Sequence, residues 1–298
     1  MGFFDGIKST LINTGMKLIS IDEKIVRMFL ETSSSNVRQI VILPASKIPM
    51  KTVVKTLENK SKHGYVYNGR LNGVEVSVIQ TRMGAPRTAM IMECLKRCNV
   101  KIAIRIDFCG GLVETGAPEL QTTGLGVGDL IVPESVFLTD GTCMQYLQKY
   151  AEVLDGLPGI TPHDLPTYKS AKIDYCSVNG KYWSADVDRN LFAIFKPDKR
   201  VLGDILWSTD ALFCEEKDFF DIWRIYDCNS VDMESAAVYL LGRLFGIRIV
   251  SVLSISDLPD SEKYCMQTSN NFHPGLMKGL KNAFNLLLQR LPEVQKEV

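Results

Sequence analysis

Four short segments combine glycine or charged residues with the end of an apolar run, where chemically active side chains could be presented. They read RMGAP at 82–86, RIDFCGG at 105–111, VDME at 231–234 and SDLP at 256–259. In α/β proteins ligands bind at the carboxyl ends of the sheet strands, where the following loops come together. The four segments are therefore predicted to contribute to one binding site.

The charged residues of these segments have both a chemical and a structural interpretation. Arg105 lies within an apolar run, where a lone guanidinium is costly to bury, so it either binds an anion or pairs with Asp107. Glu234 opens an apolar helix, where the helix dipole favours a carboxylate, and Asp257 could cap the segment after its strand. Gly110 either lets a ligand approach the backbone or forms a tight strand exit.

Alternating strand-like and helix-like runs predict a sheet covered by helices on both faces. The clearest predicted strands are 38–43, 74–81, 101–108, 129–136 and 247–254. The clearest predicted helices are 51–60, 87–98, 218–226, 235–245 and 276–291. Loops are predicted at 112–127 and 154–168. Short joins, such as Gly246 between a helix and the next strand, imply parallel neighbours whose loops gather at one end of the sheet.

The chain shows no internal linker or repeat that would divide it into two folded units. Residues 1–35 carry an irregular helical pattern that ends at a run of serines, which predicts an N-terminal helical arm. Residues 36–298 are predicted to form a single α/β domain, a size that buries a substantial core.

Composition excludes several classes of function. The 298 residues include 34 basic and 34 acidic groups, so no charge surplus points to nucleic acid. The longest apolar runs are strand-sized, which argues against a membrane partner. Eight cysteines without a CxxC pair, and an N-terminus without a signal layout, predict a reduced, cytoplasmic protein. Too few ligands are suitably spaced for a metal site, and none is expected.

Four sequence blocks resemble the nucleoside phosphorylase-I superfamily, which includes purine nucleoside phosphorylases, uridine phosphorylases and related nucleosidases. The most specific is SVDMESAAVYLLGRLFGIRIVSVLSISD at 230–257. The others are TRMGAPRTAM at 81–90, IRIDFCGGL at 104–112 and GDILWSTDALF at 203–213. Their order implies the fold of that family, a single α/β domain with a central mixed, partly closed β-sheet flanked by helices on both faces.

The resemblance implies a role for each matching residue. Met233 and Glu234 would hold the ribose, and the Glu234 carboxylate would stabilise the positive charge that develops on the sugar as the glycosidic bond breaks. Asp257 would protonate the departing purine at N7, which requires a raised pKa of the kind that burial supplies. The other expected substrate-binding residues are Arg105 for phosphate, Phe213 for the base, and Gly84 and Gly110 in the glycine segments.

The phosphate-binding loop of the family is not matched here. Family phosphorylases carry Gly-Asp-Pro-x-Arg after the first strand, whereas this chain reads LPASKIP at 43–49. Phe108 stands where the family has a hydroxyl residue, and Lys47 or Lys51 would have to replace the missing arginine without its planar fork. The resemblance therefore implies a phosphate site that binds weakly.

The predicted function is phosphorolysis of a nucleoside, purine favoured, giving free base and ribose 1-phosphate in nucleotide salvage. Inorganic phosphate would be the co-substrate, no cofactor is expected, and the assembly would be a homodimer or a hexamer built as a trimer of dimers. One alternative is a catalytically weak or inactive paralogue that keeps a nucleoside pocket. Another is a uridine phosphorylase, although Lys217 and Phe219 occupy the positions where such enzymes hold uracil with Gln-x-Arg.

Overall fold

A computed structural model describes residues 19–112, 125–154, 156–164, 177–196, 201–215, 219–220, 226–261, 264–268, 270 and 273–298. Within these ranges eleven strands form one sheet. The strands are β1 Ile40–Leu43, β2 Glu58–His63, β3 Val66–Leu71, β4 Val74–Ile79, β5 Ile102–Gly111, β6 Leu130–Phe137, β7 Ile160–Asp164, β8 Lys181–Asp186, β9 Val201–Ser208, β10 Cys228–Asp232 and β11 Arg248–Asp257. The α-helices are α1 Ile21–Leu30, α2 Lys47–Thr56, α3 Ala85–Lys96, α4 Gly141–Lys149, α5 Ala151–Leu154, α6 Arg189–Phe195, α7 Ser235–Phe245 and α8 Gly275–Gln295.

The sheet is mixed and closes on itself at its centre. Its strand order is β2-β3-β4-β1-β5-β10-β9-β6-β8-β7, and β11 pairs with both β5 and β6. The pairs β5–β10, β10–β9, β9–β6, β6–β11 and β11–β5 therefore complete a ring of five strands. The prediction of a single α/β domain with a mixed, partly closed sheet is confirmed.

Two groups of helices pack around this sheet. Helix α3 contacts α1, α4 and α7, and α7 also packs on β11 and β8. Helix α8 contacts β11 and α6. The core between them is continuous and apolar, and the predicted strands at its centre contribute fully buried residues, among them Ile104, Val252 and Leu253.

The ends of α3 and α7 follow the signals in the sequence. Helix α3 is preceded by Gly84, whose φ of 101° is a conformation that glycine adopts without a steric penalty, and Pro86 lies in its first turn. Helix α7 ends at Gly246, which has a φ of 68° and donates its N–H to the carbonyl of Gly242.

One predicted helix is shifted along the chain. The sequence predicts a helix at 51–60, but α2 begins at Lys47 and ends at Thr56. The helix starts before Pro49 because a proline in the first turn forfeits no intrahelical hydrogen bond. It ends early because the backbone turns extended at Leu57, and residues from Glu58 onward pair with β3.

A predicted loop contains a strand. Residues 160–164 of the predicted loop 154–168 form β7, which pairs antiparallel with β8. The run ITPHD lacks the apolar alternation of a strand, and Pro162 removes one donor. Proline is tolerated here because β7 is the last strand in the order, and no other described strand pairs with its outer edge.

Two predicted elements, the loop 112–127 and the helix 218–226, are only partly covered by the described residues. Residues 113–124 of the predicted loop 112–127, and residues 218 and 221–225 of the predicted helix 218–226, lie outside the described residues. In the N-terminal segment the described helix α1 buries Val26 and Leu30 in the core, and Asp22 pairs with Arg97 at 2.9 Å. The division into an arm and a domain stays a prediction. None of the described helices combines the length and the apolar composition that crossing a bilayer requires.

Helix α8 packs closely against the sheet at Gly279, so a larger residue at this position should change the stability of the fold. A Cβ at this position would lie 2.6 Å from the Gly128 Cα and 2.7 Å from its carbonyl oxygen, and would also contact the Ser254 hydroxyl. In a free helix Gly→Ala stabilises by about 1 kcal/mol. Here we expect Gly279→Ala to destabilise by about 1–3 kcal/mol, because backbone atoms must move.

Urea denaturation of Gly279→Ala and of Asn282→Ala, at an exposed position of the same helix, measures this difference. Equal or greater stability of Gly279→Ala than of the parent chain would show that the close packing of α8 on the sheet is not as described.

Candidate functional site

Three strand ends meet at the candidate site. Gly110 of β5 pairs with Val231 of β10 on one side and with Asp257 of β11 on the other. A Cβ at Gly110 would lie 2.9 Å from the Val231 Cγ1 and 2.8 Å from the Pro259 Cγ. Only glycine fits between these neighbours, so Gly110 allows the acidic strand ends to come together.

A cavity of about 240 Å³ opens at these strand ends. All four segments singled out in the sequence contribute to its wall, through Met83, Gly110, Met233, Glu234 and Asp257. The fold therefore brings the four segments together at one cavity, and their binding of a ligand stays a prediction. A second feature of the wall is its acidity, because Asp107, Glu215 and Asp232 also line it.

Glu234 is held at the floor of the site by two donors. It precedes α7 and its side chain is almost fully buried. Its Oε1 accepts a hydrogen bond from the Gly84 N–H at 2.7 Å, and its Oε2 accepts one from the Arg105 Nη2 at 2.5 Å. Burial raises the pKa of Glu234 to about 7, and the charges of Asp232 and Asp107 act in the same direction against Arg105.

Arg105 is 1% exposed and is shared between carboxylates. Its Nη2 lies 3.1 Å from the Asp232 Oδ2, in addition to its bond with Glu234. Burial alone would lower the pKa of Arg105, but the charges of Asp232, Glu234 and Asp107 raise it, so the guanidinium stays charged. Its Nε and Nη1 are buried and have no hydrogen-bond partner among the described residues.

Asp232 is fixed by the start of α7. It accepts hydrogen bonds from the Ser208 hydroxyl at 2.5 Å, from the Ser235 hydroxyl at 2.6 Å and from the Ser235 N–H at 3.0 Å. These donors orient the carboxylate so that Arg105 meets it from the opposite strand. The ion pair is therefore supported on both sides, as a buried pair requires.

Asp107 and Arg105 do not form a salt bridge with each other. Its Oδ2 accepts hydrogen bonds from the backbone N–H groups of Ala45 and of Ser46, the latter at 2.8 Å, and its Oδ1 accepts one from the Phe108 N–H at 2.9 Å. Leu43 of β1 pairs with Arg105 in parallel register, which places the loop after β1 beside Asp107.

Two further carboxyl groups, Asp257 and Glu215, lie on the wall of the cavity. Asp257 accepts hydrogen bonds from the Ser256 hydroxyl at 2.7 Å and from the Met266 N–H at 3.2 Å. Burial nevertheless raises the pKa of Asp257 above its ordinary value. Burial also raises the pKa of Glu215 to about 8, helped by the negative charge of Asp257, and the Glu215 Oε2 has no partner among the described residues.

The family model of the phosphorylase superfamily matches residues 39–291, which covers every described strand and all of the described α-helices except α1 and the end of α8. The chain belongs to the phosphorylase superfamily. Its relatives are distant. A DeoD-type purine nucleoside phosphorylase from Clostridium novyi is 25% identical over 230 residues, covering 75% of this chain and 84% of the relative. A guanosine phosphorylase from Halorubrum lacusprofundi is 21% identical, and the match covers 74% of this chain and 78% of that relative.

Solved structures of other members share the fold of this superfamily protein. A uridine phosphorylase from Vibrio fischeri superposes with a TM-score of 0.63 at 19% identity, covering 87% of this chain and 93% of its own. A 5'-methylthioadenosine/S-adenosylhomocysteine nucleosidase from S. pneumoniae superposes with a TM-score of 0.61 at 16% identity. The superposition covers 85% of this chain and 100% of the nucleosidase chain.

Most of the site residues predicted from the sequence lie at the cavity, but Phe213 does not. Glu234, Met233, Gly110 and Asp257 line the cavity, and Gly84 takes part by donating its N–H to Glu234. The Phe213 side chain is instead 82% exposed and is not among the residues of the cavity wall. Its stacking on a base stays a prediction. Lys217, considered for uracil, lies outside the described residues.

Sequence reasoning missed three acids of this superfamily site. Asp107 was considered only as a partner of Arg105, Asp232 carried no assigned role, and Glu215 was not considered. Asp232 shares the VDME segment with Glu234, so its position near Arg105 could have been expected. Glu215 follows a 3₁₀ turn, Leu212–Cys214, and nothing in its local sequence indicates that the turn faces Asp257.

The partly buried carboxyl of Glu215 links the stability of the fold to pH. Its folded pKa of about 8 exceeds the ordinary value of 4.5, so between these values the folded chain keeps a proton that the unfolded chain releases. This carboxyl therefore lowers the free energy of unfolding as the pH rises from about 5 to about 8. We expect Glu215→Gln to lose this component, so that its stability relative to the parent chain increases over the same interval.

Urea denaturation across that pH range, with the exposed Glu152→Gln as the matched control, measures the effect. Identical pH slopes for Glu215→Gln and the parent chain would mean that Glu215 does not keep its proton in the folded chain.

Proposed function

We propose that this protein cleaves the N-glycosidic bond of a nucleoside, with purine nucleosides favoured, and releases the free base. One observation carries the proposal. A single cavity holds Glu234, a fixed acid at the position expected for the sugar, together with Asp257, a buried carboxyl with a raised pKa at the position expected for the base. The membership of the chain in the phosphorylase superfamily supports the same reaction class.

Glu234 would act on the sugar. Breaking the bond between C1′ and the base builds positive charge on the ribose ring, and a fixed carboxylate stabilises that charge without reorganising. The Gly84 N–H and the Arg105 guanidinium fix both oxygens of Glu234. Because its pKa lies near 7, the ionised form required for this role gains population as the pH rises through neutrality.

Asp257 would act on the base. A general acid must hold a proton at working pH and lose it as the bond breaks, which a raised pKa permits. Glu215, which carries an unpartnered oxygen, adds a second protonated carboxyl at the same wall. Two hydrogen-bonding acids on one side of the cavity suit a purine, whose N7 lies beside the exocyclic group at C6. The sequence relatives described above, a purine nucleoside phosphorylase and a guanosine phosphorylase, support this preference.

The finer features predicted from sequence remain proposals. These are the absence of a cofactor, assembly as a homodimer or a hexamer of dimers, and the acceptor of the ribosyl group, for which the sequence resemblance favours phosphorolysis with inorganic phosphate as co-substrate and the contacts of Asp107 favour water. A uridine phosphorylase activity and an inactive paralogue are the alternatives. A panel of purine and pyrimidine nucleosides, assayed for base release with and without phosphate, separates these activities, and release of no base by the folded protein would overturn the proposed function.

The proposal predicts a large effect at Glu234. We expect Glu234→Gln to reduce turnover by about two orders of magnitude or more, because one transition-state charge contact is lost. Initial rates of base release, with folding checked by circular dichroism, measure the loss. The exposed Glu152→Gln variant should keep the parent rate, and a folded Glu234→Gln variant with unchanged turnover would remove Glu234 from the site.

A second prediction concerns Asp257. We expect Asp257→Asn to reduce the rate of inosine and adenosine cleavage by about 10²–10⁴-fold, because their bases need a proton to leave. A 4-nitrophenyl riboside, whose leaving group needs no general acid, should be slowed far less. Equal slowing of both substrate types, or faster cleavage of uridine than of purine nucleosides by the parent chain, would contradict the assignment of Asp257 to a purine base.

A further inference from the structure

The start of α2 is already occupied by a carboxylate of the protein itself. The N–H groups of Ala45 and Ser46 point at the Asp107 Oδ2, and Ser46 is the residue that precedes the first turn of this ten-residue helix. Free N–H groups at a helix start, with the positive end of the helix dipole, form a natural site for an anion. Asp107, 2% exposed, fills that site here from the adjacent strand.

The nearby Arg105 guanidinium is likewise already ion-paired with carboxylates of the protein. The Arg105 guanidinium contacts Glu234 at 2.5 Å and Asp232 at 3.1 Å, and Asp107 adds a third negative charge close enough to raise its pKa. One positive charge therefore faces three acids within a buried cluster. A phosphate dianion brought into this cluster would meet like charges in a medium that screens them poorly.

We propose that Asp107 is a built-in substitute for the anionic co-substrate, which excludes inorganic phosphate from the site and leaves water as the acceptor of the ribosyl group. This inference rests on the proposed function for the reaction and on the contacts of Asp107 for the choice of acceptor. It makes Asp107 the residue that determines acceptor specificity.

In the reaction with water, the water oxygen forms the new bond to C1′ as the bond between C1′ and the base nitrogen breaks. The bonding electron pair leaves with the base, which takes the Asp257 proton. The attacking water releases its own proton to solvent, and Asp257 regains a proton from solvent for the next turnover. The products are the free base and ribose.

The first test measures phosphate binding through thermal stability, independently of activity. Melting temperatures are recorded in a phosphate titration and in sodium chloride of matched ionic strength. The parent chain should show no difference between the two salts. Asp107→Gly frees the Ala45 and Ser46 N–H groups and removes one negative charge that acts on Arg105, whose Nε and Nη1 have no partner among the described residues, so phosphate should raise the melting temperature of this variant by roughly 3–6 °C.

Asp204→Gly is the matched control. Asp204 is also a buried strand acid, but it accepts a hydrogen bond from the Ser230 hydroxyl and lies outside the cavity wall. Its variant should be destabilised without any response to phosphate. Should Asp107→Gly not fold, Asp107→Ser is measured in its place. Stabilisation of the parent chain by phosphate, or a folded position-107 variant that ignores phosphate, overturns the proposal.

The second test identifies the acceptor from the product. The parent chain should release base from inosine at a rate independent of phosphate and yield free ribose, whereas the position-107 variant should yield ribose 1-phosphate when phosphate is present. Phosphate-dependent release by the parent chain overturns this inference and leaves the proposed function intact. Absence of any base release overturns the proposed function, while the melting comparison still decides whether Asp107 occupies the anion position.

Discussion

The Arg105 guanidinium lies buried between the carboxylates of Asp232 and Glu234, and the rest of the site is arranged around that contact. A buried cation requires partners that satisfy its charge, and each partner must itself be held in place. The serine donors around Asp232 and the Gly84 N–H on Glu234 do this. The ion cluster thereby ties β5 to β10, to the start of α7 and to the start of α3.

The same cluster explains why the cavity is acidic and why its acids differ in protonation. A single guanidinium cannot neutralise three carboxylates, so burial keeps the pKa of Glu234 near 7 in spite of its ion pair. No cation accompanies Asp257 and Glu215 among the residues that line the cavity, and burial raises the pKa of both. One cavity therefore contains a carboxylate suited to stabilising charge and two acids suited to donating protons.

Much of the fold and part of the site could be predicted from the chain alone. Apolar runs and glycine stops predicted β1, β4, β5, β6 and β11 and the ends of α3 and α7, since those signals act over a few neighbouring residues. Two strands of the central ring, β9 and β10, were not among the predicted strands. The edge elements were predicted less well, because pairing with a neighbouring strand outweighed a weak local pattern at β2 and at β7. Of the site residues, Glu234 and Asp257 were predicted because each ends a recognisable strand or opens a recognisable helix.

The sequence by itself determined which residue types stand at the strand ends, and through them the superfamily and the expected reaction class. Only the tertiary structure decided what those residues contact. Arg105 and Asp107 are two residues apart on one strand, and nothing local shows that Arg105 is satisfied by Asp232 and Glu234 while Asp107 turns to the Ala45 and Ser46 N–H groups. These contacts join residues that are 61 to 129 positions apart in the sequence, through the register of β1, β5 and β10. Charge pairing across such separations is set by the sheet as a whole, because the register decides which side chains face each other.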